Sequence, residues 1–82
     1  MPIRFSDHAR YQIRDRKLSK VLVGRVVQDP DKIFRQSDGR MRAVKKIIWT
    51  GKPYALVIVY EKERGDLVIV TVFRTSKIKK YL

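Results

Sequence analysis

Apolar residues recur at helical spacing over the first third of the chain and at strand spacing over the remainder. At roughly 100° per residue, Phe5, Ala9 and Ile13 share one stripe, while Arg10 and Arg14 point away from it. His8, Gln12 and Arg16, spaced i, i+4 and i+8, form a polar row along the edge of the same stripe. Ser6 and Asp7 are good N-cap residues and no Gly or Pro interrupts as far as Lys17, which predicts a helix over that stretch. Ser19 predicts the cap of a second helix with Leu22, Val23, Val26 and Val27 turned inward. Asp29-Pro30 ends it, because the residue before a proline avoids the helical region.

Beyond Pro30 the period shifts to alternation, and strands are predicted over 32–37, 40–50, 54–61 and 67–74. Asp38-Gly39 suits a type I′ turn, in which both central residues take positive φ. Gly51-Lys52-Pro53 and Glu63-Arg64-Gly65-Asp66 supply the other reversals, so an antiparallel meander is expected. The third and fourth strands are apolar on both faces and belong in the middle of the sheet. In the second, Arg40, Arg42, Lys45 and Lys46 interleave with Met41, Ala43, Val44 and Ile47, so one face meets solvent or a ligand. Residues 76–82 read as a short helix or an extended end. The expected fold is α+β: two N-terminal helices packed on a four-stranded antiparallel sheet. One domain spans residues 1–82, since a chain this short closes a single core.

Charge changes the picture. Twenty Lys+Arg against eight Asp+Glu give a formal +12, with ten basic residues on each side of position 41/42 and no detachable basic tail. Phosphates are the natural counter-charge for such a surface, and displacing their condensed counterions makes affinity fall steeply with salt. The absence of cysteine excludes disulfides, thiolate metal ligands and a Cys nucleophile, and suits a reducing cytoplasm. Apolar runs at 55–60 and 67–73 are too short to span a bilayer, and the N-terminus lacks a signal-peptide stretch. A cytoplasmic protein without membrane attachment is therefore expected. One His and scattered carboxylates assemble neither a zinc set nor a two-metal cluster. The glycines at 24, 39, 51 and 65 are isolated, so no phosphate-cradling loop or dinucleotide fingerprint is present, and no cofactor is expected. The thin core leaves reliance on a partner, or a homodimer, open.

Two helices followed by a four-stranded antiparallel sheet on a short basic chain resemble the RelE/ParE toxin superfamily of toxin–antitoxin systems. The order Phe5, His8-Ala9, Ile13, Arg16, Leu18-Ser19, Asp29-Pro30 and Val70-Thr71-Val72 is similar to small relatives of the BrnT toxins. Those open with a His-Ala helix that ends in an Arg, an apolar residue and a Ser. Gln12 stands where they more often carry a basic residue, and Lys17 where they often carry Gly. The resemblance implies an endoribonuclease that cuts messenger RNA, often on the ribosome, and is silenced by an antitoxin, here expected to be acidic. Other superfamily members act on DNA gyrase instead. In RelE-type toxins basic residues on middle strands, an Arg near the end of the last strand and a C-terminal Tyr carry the activity. Arg74 and Tyr81 occupy comparable places here.

Metal-free RNA cleavage needs a base, cations and an acid in one groove. The expectation is that Arg42, Lys45 or Lys46, Arg74 and Tyr81 converge on one concave face. His8, whose ordinary pKa lies near neutrality, is a further candidate acid or base. Arg40, Lys46, Arg10, Arg14, Lys77, Lys79 and Lys80 are candidate phosphate contacts. Arg16, nearer the apolar stripe, is expected to pair with an acid or a backbone carbonyl and hold the helices to the sheet. Trp49, Tyr54, Tyr60 and Phe73 are assigned to the core. The rivals to a nuclease are a non-catalytic module binding RNA, the ribosome or DNA, for which basic charge suffices, and, as the resemblance implies, a gyrase-inhibiting ParE-like toxin.

Overall fold

A computed structural model describes residues 2–82. The chain forms β1 (Ile3–Phe5), α1 (Asp7–Asp15), α2 (Lys20–Gln28), β2 (Lys32–Arg35), β3 (Met41–Trp49), β4 (Lys52–Glu63), β5 (Asp66–Thr75) and α3 (Ile78–Tyr81). The strands make one sheet in the order β1-β5-β4-β3-β2. β1 runs parallel to β5, and every other pairing is antiparallel.

This corrects the expected architecture. The class is α+β, but the sheet has five strands and is mixed, and three small helices flank it. The missed strand, Ile3-Arg4-Phe5, is too short to display alternation. Its partner, Leu67–Ile69, lies at the far end of the sequence, so no local signal announces it.

Both helix starts follow from side-chain capping. Ser6 Oγ accepts from the Ala9 N–H at 3.0 Å and Ser19 Oγ from the Leu22 N–H at 2.9 Å. The turns differ from expectation. Asp38 does not take positive φ; Gly39 does, at 88°, after a turn closed by Gly39 N–H donating to Gln36 O at 3.0 Å. The positive pairs are Thr50-Gly51 (52° and 79°) and Arg64-Gly65 (51° and 86°), and these close the two-residue hairpins. The Gly51-Lys52-Pro53 reversal is therefore one residue earlier than expected, and Lys52 and Pro53 already pair with β3.

α1 and α2 cover one face of the sheet. Ala9, Ile13, Val23, Val26 and Val27 pack there against Ala43, Leu56, Ile58, Tyr60, Ile69 and Val72. On the opposite face α3 lays Ile78 and Tyr81 over Val44, Ala55, Val57, Phe34 and Phe73. β4 is central, as its continuous apolar run requires.

One irregularity governs the rest. Val59 pairs with Thr71 but Tyr60 with Ile69, so Val70 is an extra residue that bulges β5. Before the bulge, the outer edge of β5 is served by the N-terminal segment: the Leu67 N–H donates to Pro2 O, and Ile69 O accepts from the Ser6 N–H, both at 2.9 Å. After it, β1 has ended and α1 takes over. Ser6 Oγ donates to Val70 O at 3.3 Å, Gln12 Oε1 accepts from the Val72 N–H at 2.8 Å, and Arg16 Nη1 donates to Val72 O at 3.0 Å. The i, i+4 pair Gln12 and Arg16 thus occupies both main-chain groups of Val72 and covers a strand edge that would otherwise be open.

Candidate nucleic-acid interface

The register decides which basic side chains can meet. Lys45, Leu56 and Arg74 lie in one row across β3, β4 and β5, and Leu56 belongs to the core under α1 and α2. Lys45 and Arg74 therefore share the helix-covered face. Arg42 pairs with Val59 two residues along from the Val44–Val57 pair, and so lies on the same, α3 face. Its guanidinium carbon sits 5.2 Å from the Phe34 ring centroid and 5.5 Å from that of Tyr81, and its Nε is buried without a partner. Arg42 and Tyr81 are brought together, but Arg74 and Lys45 lie across the sheet from them. The expected convergence of all four on one concave face is not what the fold builds.

Several other expected contacts are already engaged. Lys45 Nζ donates to Asp29 O at 3.0 Å and lies 3.6 Å from an Asp31 carboxylate oxygen. Arg40 pairs with Glu61 at 3.3 Å, and Arg10 lies 3.9 Å from Asp7. His8 is exposed and stands two helical turns, about 12 Å of rise, from Arg16. Arg14, Lys46, Lys77, Lys79 and Lys80 are exposed, and none enters an ion pair among the described residues.

The constellation that does form is at the end of β5. Arg16, Tyr54, Arg74, Thr75 and Ser76 line a cleft of ≈ 420 Å³. Arg74 Nη1 donates to Arg16 O at 2.6 Å, and its guanidinium carbon lies 3.7 Å from the Trp49 ring centroid. Trp49 in turn meets Tyr54 edge to face at 5.9 Å. This rigid stack follows from the tight Thr50-Gly51 hairpin, which sets Trp49 and Tyr54 on neighbouring strands and on the same face. Neither Arg16 nor Arg74 has a carboxylate partner among the described residues. Their intramolecular acceptors are main-chain carbonyls, which orient a guanidinium without neutralising it.

Such a pair has the charge and the N–H donors that anionic oxygen requires. Arg14, Lys17, Lys52 and Lys77 carry further positive charge on neighbouring stretches of chain, with Asp15 the acidic residue among them. Arg74, a site residue expected from the sequence, lines this cleft. Arg16 was legible only as a structural tie, and it is that tie as well as a cleft wall. Of Tyr54 and Trp49, both assigned to the core, Tyr54 lines the cleft and Trp49 supports its Arg74 wall; their places flanking the Thr50-Gly51 turn were the available signal. Among the described residues no three His, Cys, Asp or Glu side chains gather to hold a metal, and no helix is long and apolar enough to cross a membrane.

The family model described as "Domain of unknown function (DUF4258)" matches residues 5–74, which include Arg16, Trp49, Tyr54 and Arg74. No curated protein and no solved structure matches the chain.

Proposed function

We infer that this chain, which belongs to the DUF4258 family, is a nucleic-acid-binding protein that engages the phosphates of single-stranded RNA at the Arg16–Arg74 cleft. The observation that carries the reading is a pair of arginines lining one cleft, each bonded to a main-chain carbonyl and neither to a carboxylate among the described residues. The net charge of +12 supplies the long-range attraction. A small cleft beside an aromatic stack suits a flexible single strand better than a duplex, whose recognition requires an element laid into a groove. The test is fluorescence anisotropy with a labelled single-stranded RNA over a range of KCl concentrations. Affinity should fall linearly on a log–log plot, and Arg74→Gln should shallow the slope by about one. A slope unchanged by that substitution excludes the cleft as the binding site.

A second reading, a RelE-like toxin cutting messenger RNA and restrained by an acidic antitoxin, draws support from one feature of the same cleft. Arg16 and Arg74 could stabilise phosphorane charge, and the Tyr54 phenol beside them could protonate the leaving oxygen. A neutral-range base is missing from the cleft lining, which is why binding leads. Growth arrest with messenger RNA fragmentation on expression, abolished by Arg74→Ala, is the outcome that would reverse the order.

A further inference from the structure

We propose that the Arg16–Arg74 cleft takes a terminal phosphomonoester, the phosphorylated end of a nucleic-acid strand, in preference to an internal phosphodiester. The proposal rests on the phosphate-binding reading above and specifies which phosphate the site selects.

Charge is the first ground. Arg16 and Arg74 bond to Val72 O and Arg16 O, neutral acceptors that orient the guanidiniums without cancelling their charge. A phosphomonoester carries about −1.5 to −2 near neutral pH, whereas a diester carries a single negative charge. Two fixed guanidiniums match the former and leave an excess over the latter.

Donor supply is the second. A guanidinium has about five N–H donors, and the contacts above engage Nη1 alone on each arginine. Tyr54 and Ser76, which line the same space, each carry a hydroxyl. Beyond the Val70 bulge, Val72 turns its N–H and C=O to the outer edge of β5. Arg74, two residues on, turns its own main chain to that edge, past the point where β1 pairs. A terminal phosphate has three free oxygens for this donor set, and an internal diester has two.

Rigidity is the third. Arg74 sits over the Trp49 ring at 3.7 Å and is tied to the C-terminal end of α1, which restrains its fork from swinging to follow a passing backbone. A cleft of ≈ 420 Å³ at the strand terminus, where the chain turns at Ser76, has room for a phosphate and its sugar.

The experiment compares wild-type affinity for one short single-stranded RNA sequence carrying a 5′-phosphate, a 3′-phosphate or hydroxyls at both ends. One phosphorylated form is expected to bind at least about ten-fold tighter than the hydroxyl form. Inorganic phosphate should erase that preference before it displaces the RNA. Arg74→Lys and Ser76→Ala, shown by thermal melting to be folded, should lose the preference while still binding all three RNAs. Equal wild-type affinity for the three overturns the proposal and leaves the general phosphate-binding reading standing. Failure to bind any of them overturns both. A preference retained in Arg74→Lys also overturns the proposal.

Discussion

The guanidinium of Arg74, near the end of β5, donates to the main-chain carbonyl of Arg16, at the C-terminal end of α1, at 2.6 Å. That contact adds to the bonds by which Gln12 and Arg16 join the first helix to the last strand, and the guanidinium carbon of the same side chain lies 3.7 Å from the Trp49 ring centroid. It makes Arg74 both a tie and a cleft wall, so its substitutions separate the two roles. Arg74→Lys keeps the charge but loses the planar fork and the stack. It should weaken RNA binding several-fold while costing about 1 kcal/mol of stability, read by anisotropy and by urea denaturation respectively. Binding that survives unaltered would remove the fork from recognition.

Gln12 is 8% exposed, and its Oε1 holds the Val72 N–H where β5 has no neighbouring strand. Gln12→Leu should cost about 1–3 kcal/mol, because it leaves that buried N–H unpaired. Gln12→Lys should be at least as harmful, since an ammonium cannot accept the bond. Urea midpoints for the two variants check this. A midpoint equal to wild type for either would show that the edge finds another acceptor.

Lys17 takes φ 54° immediately after the C-cap of α1. A side chain with a Cβ is strained in that left-handed region, and glycine is the relaxed choice there. Lys17→Gly should therefore stabilise the protein by about 1 kcal/mol, raising Tm by roughly 4–8 °C for a domain of this size. A lower Tm in differential scanning calorimetry would contradict it.

Asp31 Oδ2 accepts from the Lys46 main-chain N–H at 2.8 Å, with Lys45 Nζ 3.6 Å from its other oxygen. That hydrogen bond, with the neighbouring ammonium groups, holds its carboxyl below the usual carboxylate range. The native state thus binds the proton less readily than the unfolded chain does. The linked stabilisation is complete above the unfolded value of about 3.9, and it fades as pH falls through the native one. Acid unfolding curves of wild type and Asp31→Asn should converge at the lowest pH and separate above about pH 4. Parallel curves would mean the bond does not couple to folding.

Some features of this protein were settled by local rules. Ser6 and Ser19 cap helices because a short hydroxyl side chain satisfies a free N–H three residues on, and proline stops α2 wherever it falls. The apolar run of β4 could be buried only at the centre of a sheet, and +12 is a property of composition alone. Tertiary structure decided the rest. Ile3-Arg4-Phe5 is a strand only because β5 offers it an edge.

The meeting place of the cations was decided at Val70. Regular alternation from Leu67 and Ile69 would have placed Arg74 on the face of Arg42 and Tyr81. The extra residue flips every position after it, sending Arg74 under α1 to Arg16 and Trp49 instead. A bulge leaves no mark in an all-apolar stretch such as Val68-Ile69-Val70. Either face there accepts the same side chains, and only the competition between β1 and α1 for the edge of β5 picks the register.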